Sequence, residues 1–168
     1  MTNRKKSGFT IPELLIVAAI LGSLATITLV TYGGSQRRSR DTQRINDLSQ
    51  YRVSLESFAS RNDGLYPRRS EISGVETGIL CVDLGYNTAD CPSDPRAGTS
   101  ACNDNDCGYF YQSNNSCGNS GDACATRYVL WAALEQPEGD AEYWFTCSTG
   151  RSGSIGSGSI PSSDGICP

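Results

Sequence analysis

Residues 14–30 form an unbroken uncharged and largely apolar run. After it, apolar positions recur at spacings of three and four. A helix over residues 9–32 would be about 36 Å long at about 1.5 Å per residue, enough for a hydrocarbon core of about 30 Å. The pattern therefore predicts a transmembrane helix over 9–32. Ile45, Leu48, Tyr51, Leu55 and Phe58 continue it as an amphipathic helix over 33–63, with Gln43, Asn46, Asp47, Gln50, Ser54 and Ser57 mostly on the opposite side. Asn62-Asp63-Gly64 stops it, Gly64 taking the left-handed cap, and Pro67 follows. Together these make one helix of about 54 residues, near 80 Å if straight, which no domain of this size buries alone.

Past residue 64 the pattern shifts to short β-prone runs at 108–112, 126–135 and 141–148. The last two are joined by the turn-rich Gln136-Pro137-Glu138-Gly139-Asp140. Residues 81–100 and 102–106 read as loops, and 150–165, repeating Gly-Ser-Ile, as a flexible loop. The expected fold class is α+β. A long amino-terminal helix, membrane-embedded over its first half, packs on a small antiparallel β head spanning 64–168.

Eight cysteines, Cys81, Cys91, Cys102, Cys107, Cys117, Cys124, Cys147 and Cys167, all lie beyond the apolar run. A dense, even set on one side of a membrane segment reads as disulfides in an oxidising compartment. Eight cysteines allow 105 pairings, and sequence does not choose among them. Cys117–Cys124 and Cys147–Cys167 are simple neighbour-pair guesses. With no C-x-x-C pair and no histidine, a zinc site has little support. Asn103-Asp104-Asn105-Asp106 departs from the helix–loop–helix calcium pattern, so no metal or other cofactor is expected.

The formal charge of −4 is unevenly distributed. Arg4, Lys5 and Lys6 form a basic leader; eight arginines and four acids fall between 37 and 69; three arginines and thirteen acids follow from 70 onward. The acidic head argues against nucleic acid as a partner. Arg37–Asp41, Arg44–Asp47 and Arg52–Glu56 have helix-pair spacing, so the arginine cluster reads as a locally neutralised, solvated or intersubunit face. The basic side chains flanking the two ends of the apolar run nearly balance, and the cysteines decide that the head faces outward.

Glu13 heads the apolar run, although an ionised group in hydrocarbon costs roughly 2.5–3.5 kcal/mol or more. A secretory signal has an apolar stretch of only about 7–15 residues and a small-residue cleavage site, which this segment lacks. A plain anchor fits the length but gives Glu13 no role. Gly8-Phe9-Thr10-Ile11-Pro12-Glu13-Leu14-Leu15 resembles the class III leader of type IV pilins and type II secretion pseudopilins. That resemblance implies cleavage at Gly8–Phe9 by a prepilin peptidase, N-methylation of Phe9 by the same enzyme, and Glu13 as the assembly carboxylate. Residues 1–8 would be lost and the helix retained. A neighbouring subunit would then set its Phe9 amine against Glu13, and breaking such a pair in low dielectric costs about 3–5 kcal/mol. Pro12 sits in the first turn, where the missing N–H has no intrahelical acceptor to lose. Arg40-Asp41-x-x-Arg44-x-x-Asp47-Leu48 and Gly64-Leu65-Tyr66-Pro67 are similar to the helix end of the same family, and Asp94-Pro95 and Tyr109-Phe110-Tyr111 loosely to its loop and first strand.

These readings predict a structural subunit of a pilus-like filament, not an enzyme. Its partners would be copies of itself, the prepilin peptidase/methyltransferase, an inner-membrane assembly platform and membrane lipid. It would cross the cytoplasmic membrane once before assembly and then stand in a cell-surface filament. A type II secretion pseudopilin is the alternative within the family, and a monomeric anchored binding module the alternative outside it. No nucleophile elbow or phosphate loop is present. The chain after residue 8 has no lysine for a sortase-type isopeptide link.

Overall fold

A computed structural model describes residues 8–69, 75–99, 107–114, 118–136, 142–156, 158 and 165–168. Helix α1 runs Ile11–Arg61, close to the predicted extent. The chain divides at Arg37/Arg38 into two compact units.

In the first unit α1 presents apolar side chains all round. Ile11, Leu14, Leu15, Ile16, Val17, Ile20, Leu21 and Leu24 are all exposed. A helix apolar on every side belongs inside lipid or among other helices. Among the described residues no helix is long and apolar enough to cross a membrane; the side chains of residues 27–31, within the expected span, are not among those described.

The second unit begins with the rest of α1, which ends as its sequence dictates. Asp63 and Gly64 take positive φ (53° and 81°). The Gly64 and Asn62 N–H groups both donate to the Ala59 carbonyl, at 2.8 and 3.0 Å. The buried stripe is Leu48, Tyr51, Leu55 and Ala59. It packs on a five-stranded antiparallel sheet in the order β2 (Val75–Glu76), β3 (Tyr109–Ser113), β5 (Tyr128–Ala133), β6 (Tyr143–Cys147), β7 (Ser152–Ile155). β1 (Tyr66–Pro67) pairs separately with β4 (Ala123–Ala125). The sheet is covered on both faces. Tyr109, Tyr111, Tyr128, Leu130 and Ala132 join the helix cluster, while Val129, Trp131, Phe145 and Cys147 form a second cluster with Phe110, Tyr143, Ile155 and Cys167. Burial on both faces explains why β5 shows an apolar run instead of clean alternation.

Three expectations need correction. Residues 150–165 are not all loop: Ser152–Ile155 is the edge strand β7, in register with β6 through Phe145↔Gly153 and Tyr143↔Ile155. Ladder pairing is a backbone property, so a Gly/Ser composition does not forbid it once Gly150 (φ 86°) turns the chain. Residues 81–100 are not all loop either, because Cys81 lies in α2 (Thr77–Asp83) and a 3₁₀ turn covers Thr88–Asp90. Leu80, Cys81 and Leu84 are buried there in the helix cluster. The expected 136–140 connector lies, apart from Gln136, outside the described residues.

The third correction concerns the arginines. Arg44 does not pair with Asp47 on a solvated face. It is fully buried, with its Nε 2.7 Å from Asp94, one Nη 2.7 Å from Asp41 and the other 2.8 Å from Glu135. Asp41 also accepts the backbone N–H groups of Glu135 and Gln136, each at 2.9 Å. Arg40 (2.5 Å) and Arg96 (3.5 Å) complete the shell around Glu135. Burial opposes the Arg44 charge, but Asp94, Asp41 and Glu135 outweigh it and raise its pKa. Asp47 instead accepts the Tyr109 hydroxyl at 2.5 Å, and burial raises its pKa despite that bond. A second ion pair, Arg69 with Asp83, ties α2 to the chain following β1.

Removing Arg44 leaves Asp94 buried with no other charge partner among the described ion pairs. Arg44→Met should therefore cost about 3–5 kcal/mol of unfolding free energy by urea titration, and the half-exposed Arg40→Met clearly less. Glu135 is held at about 2, against an ordinary 4.5, first by its hydrogen bond to Arg40 and then by Arg44. A depressed folded pKa means its contribution is complete above the unfolded value and drains away as pH falls from 4.5 toward 2. Melting temperatures in that window should drop more steeply for the wild type than for Glu135→Gln.

Candidate assembly site

The first turn of α1 is built by a short local code. Thr10 is the N-cap, and Glu13, three residues on, reaches back to it. The Thr10 N–H donates to Glu13 Oε2 at 2.9 Å, and the Thr10 hydroxyl donates to the same oxygen at 2.7 Å. The Thr10 carbonyl accepts the Leu14 N–H at 3.3 Å. This is a variant capping box, with the hydroxyl turned to the carboxylate. The T-x-x-E pattern before an apolar run was the available signal for Thr10, and the reading of Glu13 as an assembly group alone passed over it. Pro12 falls inside this first turn. The carboxylate also lies near the positive end of the helix dipole.

Both donors converge on Oε2, so Oε1 stays outside the cap. Glu13 is exposed, and Phe9 next to the cap is 80% exposed. A Cβ added at Gly8 would meet nothing within 4 Å, so packing within the chain does not demand glycine there. Gly8, Phe9 and Glu13 are thus brought together at one exposed helix end. What that end offers is an anionic oxygen, an apolar ring and an uncovered apolar helix behind them.

The cysteines lie in the other unit. Cys81 joins Cys91 and Cys147 joins Cys167, with Cα separations of 5.9 and 5.8 Å. Cys107 and Cys124 are also disulfide-bonded. Cys102 and Cys117 lie outside the described residues, and with them the guessed Cys117–Cys124 pair. Residues 103–106 do so too.

A family model described as the prokaryotic N-terminal methylation motif matches residues 3–29, the stretch that carries the cap and the apolar helix. The chain is 32% identical over 114 residues to the type IV major pilin protein PilA of Myxococcus xanthus strain DK1622, covering 62% of this chain and 51% of that protein. It is 39% identical over 61 residues to a probable minor fimbrial protein of Dichelobacter nodosus, covering 36% of this chain and 37% of that one. These similarities support the type IV pilin family as the one this chain resembles. Pilins are a structural, non-enzymatic family, and no solved structure matches this one. The chain spans about half the length, or less, of the curated relatives it matches.

The hydroxyl–carboxylate bond that holds Glu13 over the first turn is worth about 1 kcal/mol. Thr10→Ala should accordingly speed amide hydrogen exchange in the first turn of α1 by roughly fivefold in detergent micelles. Thr10→Ser, which keeps both donors, should leave the rates near wild type.

Proposed function

We propose that this chain is cleaved between Gly8 and Phe9 by a prepilin peptidase, methylated on the new Phe9 amine, and polymerised into a surface filament through α1. The observation that carries the reading is the exposed first turn, where a carboxylate fixed by Thr10 on one oxygen heads a helix apolar on every side. Cleavage creates a cation one turn from Glu13. A neighbouring protomer displaced along the fibre axis can present the same cation to the uncapped Oε1. Apolar burial supplies most of the attraction, at roughly 25 cal/mol per Å², and the ion pair sets the register. Methylation to a secondary amine leaves the charge in place. Open space around Gly8 suits a residue chosen for an external peptidase and not for internal packing.

Before assembly the same helix would hold the protein in the cytoplasmic membrane, with the disulfide-bonded head outside. An assembly platform in that membrane would then extract it. We favour a pilin over a secretion pseudopilin because both relatives above are named as pilus or fimbrial proteins and the head carries two defined disulfides with further bonded cysteines.

Intact-mass measurement of the protein recovered from membranes tests this directly. The expected product lacks residues 1–8 and has gained one methyl group. Gly8→Leu should block the loss, and Glu13→Ala should permit cleavage while abolishing filaments. A wild-type chain recovered at full length would remove the reading.

A further inference from the structure

The exposed side of α1 within the head unit is unusual in its chemistry. Of its nine exposed positions between 42 and 60, only Glu56 is charged, and the Tyr66 and Tyr128 hydroxyls hold that carboxylate. Thr42, Asn46, Ser49, Val53 and Ser57 make an uncharged ridge, whereas a helix face meant for water normally carries ions. Depletion of charge is what the core of a protein interface shows. Val53 stands 70% exposed in the middle of it.

The ridge has two different flanks. At about 100° per residue, Arg38 and Ile45 fall to one side of it and Gln50 and Ser54 to the other. On the first side is a groove of about 300 Å³ whose lining includes Arg38, Ile45, Leu134, Trp144, Gln136 and Asp41, the last already held by Arg44 and by two backbone N–H groups. Ile45, Leu134 and Trp144 give it half-buried apolar walls among polar neighbours, and Arg38 is an exposed cation at its rim, in none of the ion pairs found among the described residues. On the other side the loop after α2 stands against the helix, with the Tyr86 hydroxyl 3.3 Å from Ser54 Oγ. Tyr86 and Val82 are each about half exposed there. Asp90, at the end of the 3₁₀ turn, is an exposed anion whose described contact is a long 3.5 Å bond from Asn87.

One flank is thus a groove with an exposed cation at its rim, and the other carries an exposed loop whose Tyr86 and Asp90 border a smaller pocket against Gln50 and Ser54, with Asp90 as an exposed anion. Two unlike, mutually complementary surfaces on one chain give a heterologous contact, which repeats without closing and builds a helical fibre. We infer that the groove beside Arg38 receives the loop at residues 86–90 of a second copy, with Arg38 facing that copy's Asp90. The inference rests on the filament reading and adds a lateral head contact to it. Helix burial would hold the fibre together, and this contact would fix the rotation between successive heads. Opposed charges at a rim also speed encounter and reject a wrong docking angle.

A charge exchange in the full-length protein, expressed as the filament subunit and scored by electron microscopy, tests it. Arg38→Glu and Asp90→Arg each place like charges together and should cut filament yield at least about tenfold. The double variant Arg38→Glu/Asp90→Arg restores opposite charges and should return yield to within about twofold of wild type. Both positions are exposed, so processed mass and head melting temperature should not change in any variant. Single variants that assemble like wild type, or a double variant as poor as the singles, overturn the contact while leaving the filament reading standing. A wild-type chain that is not processed or forms no filaments overturns the filament reading, and the contact with it.

Discussion

The governing constraint is an apolar helix whose described side chains over residues 11–26 are all exposed. α1 is 51 residues long, and aliphatic side chains between Ile11 and Leu24 are exposed in every direction around it. Water does not tolerate that much apolar surface, which at roughly 25 cal/mol per Å² makes burial by lipid or by other copies strongly favourable. The capped terminus, the exposed carboxylate and the polar head are arranged around this requirement. The described apolar surface left exposed lies in the amino-terminal half, whereas the carboxyl-terminal unit has a buried core of its own.

The second half of the same helix is packed into the head. Apolar contact by Leu48, Tyr51, Leu55 and Ala59 provides part of that packing. The buried ionic knot adds direction, because Arg44 binds carboxylates from its own helix, from the loop at 94 and from the end of β5. Such a knot is not cheap to bury, but once its members are mutually satisfied it fixes one arrangement of helix, loop and sheet. Tyrosine hydroxyls do similar work nearby: Tyr51 donates to the Pro92 carbonyl, Tyr109 to Asp47 and Tyr111 to the Pro67 carbonyl. The aliphatic content of this core is small, and directional polar contacts and disulfides make up the difference.

Both disulfides defined in the head tie a regular element to a residue outside one. Cys81–Cys91 closes the turn region after α2, and Cys147–Cys167 returns the chain's end to β6. With separations of 10 and 20 residues, each crosslink removes loop entropy from the unfolded chain, the longer loop somewhat more. This leaves residues 86–90 and the β7 edge as surfaces held in shape without a large core beneath them.

The amino-terminal half was legible in the sequence because its determinants are local. Helix length follows from an uninterrupted apolar run, the carboxyl-terminal stop from Asn62-Asp63-Gly64, and the candidate assembly residues from Gly8, Phe9 and Glu13 within six positions. Even the Thr10 cap was written there, as T-x-x-E. The head was only partly legible. Strands β3, β5 and β6 announced themselves by aromatic and branched residues, but β7 is Ser-Gly-Ser-Ile and exists because β6 lies beside it with bonds to offer. Arg44 looked like one of several surface arginines, since its nearest acids in sequence allowed a local pairing. Its true partners, Asp94 and Glu135, are 50 and 91 positions away, and only the folded chain brings them within 3 Å. Periodicity and caps act over a few residues and can be read directly; which distant charges meet is decided by where the sheet packs on the helix.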